Sequence, residues 1–136
     1  MKVLLLGATG NLGSRLLPAL LAHNHTLTVY VRSAQKLRTL FPASITDRLT
    51  IMTGDAEDTS AIRRAIVDSR SEAVVNASGG IAFWFWQAHK HQGIIHAVAD
   101  AVVSASEELA RPIRCWFVSG TPALGIPGTN DIKIGR

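Results

Sequence analysis

A chain of 136 residues is one domain on ordinary length grounds, long enough to bury a core and short for a complete enzyme. Its 47% hydrophobic and 18% charged content excludes a disordered chain, and the net charge of +4 is too dispersed for a nucleic-acid surface, Arg63-Arg64 being the sole adjacent basic pair. The single Cys115 excludes an intramolecular disulfide, and no run approaches the 18 or so apolar residues of a membrane span, so a cytoplasmic, reducing setting is expected.

Lys2 to Leu6 is a short apolar run that reads as a buried first strand, and Ser14 to Ala22 repeats apolar residues at helical spacing. Between them lies Gly7-Ala8-Thr9-Gly10-Asn11-Leu12-Gly13. Three glycines at a strand-to-helix junction read as a phosphate-binding turn. Gly7 permits the tight bend, Gly10 lets the backbone approach a pyrophosphate, and Gly13 lets the helix pack closely on the strand. The helix N-terminus adds free N–H groups and partial positive charge. Pro18 should kink or tighten this helix.

Thr26 to Val31 is the second strand, and the residue at its end selects the nucleotide. An acid about 20 residues beyond the glycines accepts from the ribose 2′-hydroxyl of NAD. Arg32 stands there instead, beside Ser33 and one turn before Lys36, and a guanidinium pairs with a 2′-phosphate that a carboxylate would repel. NADP is therefore favoured over NAD, unless Arg32 is merely a solvated residue at a strand end. Ser33 caps a helix from Ala34 to Leu40, which stops before Pro42 and a loop. Leu49 to Thr53 is the third strand, and Asp58-Thr59-Ser60 opens a helix from Ala61 to Asp68.

Glu72 to Ala77 is the fourth strand, ending in the small-residue turn Ser78-Gly79-Gly80, where ligands of open parallel sheets approach. The aromatic run Phe83 to Trp86 either covers a ligand or substrate, packs the next helix, or forms a subunit contact such as a homodimer. A long helix, Gln87 to Leu109, carries an apolar stripe through Ile94, Val98, Ala101 and Ala105. His89 and His96 could share one of its faces, without a third ligand at metal spacing. Ile113 to Ser119 is the fifth strand, and Cys115 inside it is expected as a small buried residue. Beyond it Pro122, Gly125, Pro127 and Gly128 mark irregular coil.

The run Gly7 to Gly13, with its Gly-x-x-Gly-x-x-Gly spacing, resembles the fingerprint of extended and atypical short-chain dehydrogenase/reductases, in particular the NmrA-like NAD(P)H-binding group. The resemblance spans nearly the whole chain and is specific only at that run. It implies pyrophosphate contacts from Gly7, Thr9, Gly10, Asn11, Leu12 and Gly13, with Arg32 and Ser33 at the adenosine ribose. Gly54-Asp55-Ala56 is similar to the element in which Asp55 and Ala56 meet the adenine edge, though Asp55 serves equally as a turn residue. Asn76-Ala77-Ser78-Gly79 resembles the family's Asn-Ala-Gly element with Ser78 inserted, which places Ala77, Ser78 and Gly79 beside the nicotinamide ribose. Ser119, or Thr121 in its place, matches the serine that orients a substrate carbonyl. The Tyr-x-x-x-Lys pair of ordinary short-chain reductases is absent: the one tyrosine, Tyr30, lies in a strand and Ala34 stands four residues on.

The expected architecture is a Rossmann-type, doubly wound α/β three-layer sandwich with five parallel strands in order 3-2-1-4-5, spanning 1–136 as a single dinucleotide-binding domain truncated before any substrate lobe. The expected role is an NADP-binding, reductase-like protein acting by hydride transfer on a small carbonyl compound, or a non-catalytic dinucleotide sensor that regulates a partner protein.

Overall fold

The computed structural model describes residues 1–78 and 85–118, and for 85–92 the backbone alone. In chain order the elements are β1 (Lys2–Leu6), α1 (Gly13–Ala22), β2 (Thr26–Val31), α2 (Ala34–Leu40), α3 (Ala43–Thr46), β3 (Leu49–Thr53), α4 (Thr59–Ser69), β4 (Ala73–Asn76), α5 (Phe85–Glu108) and β5 (Arg114–Phe117). The strands form one sheet in order β3-β2-β1-β4-β5, and every neighbouring pair is parallel.

Parallel strands covered on both faces carry near-continuous apolar runs, and the pleat divides them between two cores. From β1, Leu4 and Leu6 point to the side of α4 and α5, where Ile62, Ile66, Val98, Ala101 and Ala105 pack against them. Val3 and Leu5 point to the other side, where Leu17 and Leu21 of α1 and Leu37 of α2 lie. The helices are fixed at their ends by the residues that punctuate the sequence. Ser33 Oγ accepts from the Lys36 N–H at 3.2 Å, and Asp58 Oδ1 accepts from the Ala61 N–H at 3.0 Å.

Several elements depart from the sequence expectation. The segment after Pro42 is a short helix, α3, where a loop was expected, because Pro42 pre-sets an extended N-cap and leaves only four residues to coil. Asp58 caps α4 directly, so that helix starts at Thr59 rather than Ala61. The last helix starts at Phe85, two residues before Gln87, and β5 ends at Phe117, before Ser119. Pro18 sits within α1 without interrupting it. Cys115 is half-buried, not fully buried: β5, the outermost strand on its side among the described residues, turns Cys115 and Phe117 toward the α4/α5 core while Trp116, 49% exposed, faces the other way.

Because the order places β2 and β3 on one side of β1 and β4 and β5 on the other, the chain changes direction between β1 and β4. The register aligns Leu6 with both Tyr30 and Asn76, Val31 with Thr53, and Asn76 with Phe117. The loops that follow Leu6, Val31, Thr53 and Asn76 therefore leave from one rim of the sheet, over the switch point where ligands of such sheets bind.

Candidate functional site

The glycine turn leaves that rim first. Gly7 has φ +79°, a left-handed conformation that a side chain resists, and a Cβ there would fall on the backbone of Ala77 and Ser78. Its carbonyl accepts from the Gly10 N–H at 3.0 Å. Gly13 opens α1 with its Cα against the Gly7 carbonyl, so that any Cβ would overlap Gly7 itself. The close approach thus brings the helix onto the turn, rather than onto the strand as the sequence suggested. Among the described residues, a Cβ at Gly10 would meet only the Gly7 oxygen, at 3.3 Å. The N–H groups of Ser14, Arg15 and Leu16 are satisfied within the helix, whereas those of Asn11, Leu12 and Gly13 have no acceptor among the described residues. Leu12 makes no side-chain cap. What remains is a cluster of unsatisfied donors at a helix N-terminus, the chemistry that takes a phosphate.

At the ends of β2 and β3 the expected residues come together less evenly. Arg32 is exposed just past β2. Ser33 is occupied as the cap of α2, but a hydroxyl that accepts from an N–H keeps its own proton to donate. Asp55 is a turn residue: Oδ1 accepts from the Glu57 N–H at 3.0 Å, and its carbonyl accepts from the Asp58 N–H at 3.1 Å. Its second carboxylate oxygen and the Ala56 N–H have no partner among the described residues. Sequence reasoning missed Tyr30 here. Its ring is buried, its hydroxyl donates to the Asp55 carbonyl at 3.1 Å, and a Cβ on Gly54 would fall on that hydroxyl. Burial, then the nearby Asp58 and Asp55 carboxylates, push the Tyr30 phenol above its ordinary pKa, so it remains a donor. The only hint in the sequence is a glycine directly after a strand, whose neighbour lies in a different strand.

At the end of β4, Asn76 is buried and its Oδ1 accepts from the Ser78 N–H at 3.1 Å and from the Ser78 hydroxyl. The Ala77 N–H donates to the Leu6 carbonyl at 3.0 Å, which seats Ala77 and Ser78 against the glycine turn. Gly79, Ser119, Thr121, Phe83 and Trp84 lie outside the described residues, as do the side chains of Phe85, Trp86 and His89. His96 is exposed, and among the described residues no group of three His, Cys, Asp or Glu could hold a metal ion. Burial pushes the Cys115 thiol up to about 11, which keeps it protonated and unreactive at neutral pH. No helix among the described residues is long and apolar enough to cross a membrane.

A parallel sheet with this strand order, its switch point between β1 and β4, and a glycine turn into a capless helix define a Rossmann-like dinucleotide-binding domain. Residues 7–113 match the model of the NAD(P)H-binding family, and the chain belongs to that family. This accords with the resemblance to the NmrA-like group seen at Gly7 to Gly13. Solved structures similar to it include serine dehydrogenase from Escherichia coli, at 17% identity and TM-score 0.73, over 94% of this chain and 66% of that one. A wide-type short-chain dehydrogenase/reductase from Veillonella parvula in complex with NADP matches at 21% identity and TM-score 0.62, over 87% of this chain and 46% of that one. The Bordetella bronchiseptica enzyme WbmG in complex with NAD and UDP matches at 24% identity and TM-score 0.69, over 98% of this chain and 42% of that one. At these identities the likeness is one of fold, and the chain spans 42 to 66% of the length of these three structures. No curated protein matches it.

Proposed function

We propose that this chain binds NADP(H) across the rim above β1 and β4 and presents it to a small carbonyl substrate, forming the cofactor half of a cytoplasmic reductase. The observation that carries the reading is the glycine turn, where side chains are excluded at Gly7 and Gly13 and the N–H groups of Asn11, Leu12 and Gly13 have no acceptor among the described residues. In this reading Gly7, Thr9, Gly10, Asn11, Leu12 and Gly13 hold the pyrophosphate, and Arg32 with Ser33 takes the 2′-phosphate. Asp55 and Ala56 meet the adenine, while Ala77, Ser78 and Gly79 flank the nicotinamide ribose. Ser119 orients the carbonyl. When bound, the nicotinamide supplies a hydride; the chain's own contribution is binding and orientation.

The test is calorimetric titration with NADPH and NADH, followed by NADPH oxidation with a panel of carbonyl and quinone compounds. Tighter NADPH binding with turnover supports the reading in full. Binding of neither dinucleotide overturns it.

A second reading, a nucleotide-responsive regulatory module without catalysis, is favoured by one observation. The sole tyrosine is buried and donates to the Asp55 carbonyl, so it is not placed to move a proton to a substrate. In that case Phe83 to Trp86 is the surface for a partner protein or a second copy. Partner capture that changes with NADP, without substrate turnover, supports the sensor over the reductase.

A further inference from the structure

The turn Gly54 to Asp58 is tied mainly to itself and to the adjacent strand. The Gly54 N–H donates to the Val31 carbonyl at 3.0 Å, the Asp58 N–H to the Asp55 carbonyl at 3.1 Å, and the Glu57 N–H to Asp55 Oδ1 at 3.0 Å. Among the described residues, one side-chain hydrogen bond reaches it from another element: the Tyr30 hydroxyl on the Asp55 carbonyl, at 3.1 Å. Gly54 is the residue that admits this hydroxyl, since a Cβ there would occupy its place.

We infer that Tyr30 is a positioning residue that sets the base specificity of the adenine end, by holding the Asp55–Ala56 peptide with its carbonyl turned to the phenol and its N–H turned away. The inference rests on the dinucleotide reading above. Its physical basis is the planarity of the peptide unit: the carbonyl of one residue and the N–H of the next point in opposite directions, so a donor that fixes the first fixes the second. With Asp55 O occupied by two donors and Oδ1 by a third, the groups left over are the other carboxylate oxygen and the Ala56 N–H. An acceptor beside a donor matches the adenine edge, which offers an amino group beside an acceptor ring nitrogen. Hypoxanthine offers the reverse, a carbonyl beside a ring N–H, and would leave both protein groups opposed to like groups. If the phenol is released, only the Asp58 N–H within the turn still holds the carbonyl, the link to the sheet is gone, the peptide is held less firmly and the distinction weakens.

Tyr30→Phe keeps the ring and removes the donor. By calorimetry, the variant is expected to bind NADPH roughly five- to tenfold more weakly than wild type. Its preference for NADPH over the hypoxanthine analogue should fall by a similar factor, while affinity for reduced nicotinamide mononucleotide, which carries no base, stays the same. A folded variant with wild-type preference between the two bases overturns the inference and leaves the dinucleotide reading intact. Failure of the wild type to bind NADPH overturns both. Gly54→Ala, whose Cβ displaces the hydroxyl while Tyr30 remains, breaks the same bond from the other side. It must show the same loss of base preference, so the inference stays open to refutation if Tyr30→Phe does not fold.

Discussion

The two rims of the sheet are built on opposite principles. At the amino-terminal rim the turn between α4 and β4 is stitched by side chains and by ladder-like backbone bonds. The guanidinium of Arg111 donates to the carbonyls of Arg70 at 3.0 Å and Ser71 at 2.9 Å, and Ser69 Oγ lies 2.6 Å from Ser71 Oγ. Glu72 there accepts from the Lys2 N–H at 2.8 Å through Oε2, and its own N–H donates to the Lys2 carbonyl at 2.8 Å. At the carboxyl-terminal rim the first loop has three glycines, and the N–H groups of Asn11, Leu12 and Gly13 have no acceptor among the described residues. A rim that only closes the fold satisfies its polar groups internally, whereas a rim meant for a ligand leaves them unsatisfied and holds the backbone rigid by exclusion of side chains.

The largest effect should come from breaking that exclusion. Gly7→Ala forces a side chain into a left-handed conformation and against the backbone of Ala77 and Ser78, neither of which can retreat without disturbing β4. Strain and overpacking together predict a loss of about 3 kcal/mol or more by urea unfolding, with dinucleotide binding abolished. Stability within a few tenths of wild type would sink the account of the glycine turn.

Next comes Arg32→Asp, which tests the one charge on which the proposed cofactor choice depends. In the proposed reading it removes a bidentate contact to the 2′-phosphate and sets a carboxylate against it, so NADP should weaken by roughly 2 to 4 kcal/mol while NAD changes little or gains. Arg32 is exposed, so folding stability should barely move. Equal NADP affinity in variant and wild type would show that this arginine does not read the phosphate.

Much of the carboxyl-terminal rim was legible because its determinants are local. Gly7 to Gly13 announces itself by spacing, β2, β3 and α2 end where Arg32-Ser33, Gly54 and Pro42 punctuate the pattern, and the strand order follows from alternating strands and helices. What the sequence did not disclose is tertiary. Nothing near Gly54 says that a phenol from β2 fills its missing side chain, and Gly13 looked like a helix-to-strand contact until its partner proved to be the Gly7 carbonyl. The four residues of α3 are too few for a period to register. Cys115 read as interior from an apolar run; it faces the α4/α5 core, but it lies on the outermost of the described strands and is only half-buried there.

The amino-terminal rim should respond in stability alone, whereas the glycine turn responds in both stability and binding. Arg111→Ala removes two charge-assisted hydrogen bonds and leaves the Arg70 and Ser71 carbonyls without them, for an expected loss of about 1.5 to 3 kcal/mol in urea unfolding. NADPH affinity should be unchanged, and a parallel fall in affinity would erase the division between the rims. A smaller gain is available at the end of α5, where Ala110 holds φ 50° just past the helix. Ala110→Gly relieves that left-handed strain and should raise stability by about 0.5 to 1 kcal/mol, again without touching the ligand.

The smallest and most discriminating test is pH, because the two rims carry shifted groups of opposite sign. Glu72 has its pKa lowered from 4.5, first by the hydrogen bond it accepts from the Lys2 N–H, so the folded state binds a proton there less readily than the unfolded chain. Its contribution is present above 4.5 and is lost as pH falls through the lowered value. Tyr30, beneath the carboxyl-terminal rim, is raised above 10.0 by burial and by Asp58 and Asp55, so the folded state holds its proton more tightly. That contribution is intact below 10.0 and is lost as pH rises through the raised value. Urea midpoints measured across the whole range should therefore fall at both extremes. Glu72→Gln should blunt the acid limb alone and Tyr30→Phe the alkaline limb, with the half-buried Cys115 thiol, raised from 9.0 to about 11, adding a share that Cys115→Ala would remove. An acid limb insensitive to Glu72→Gln would show that the Lys2 contact does not tie the amino-terminal rim together.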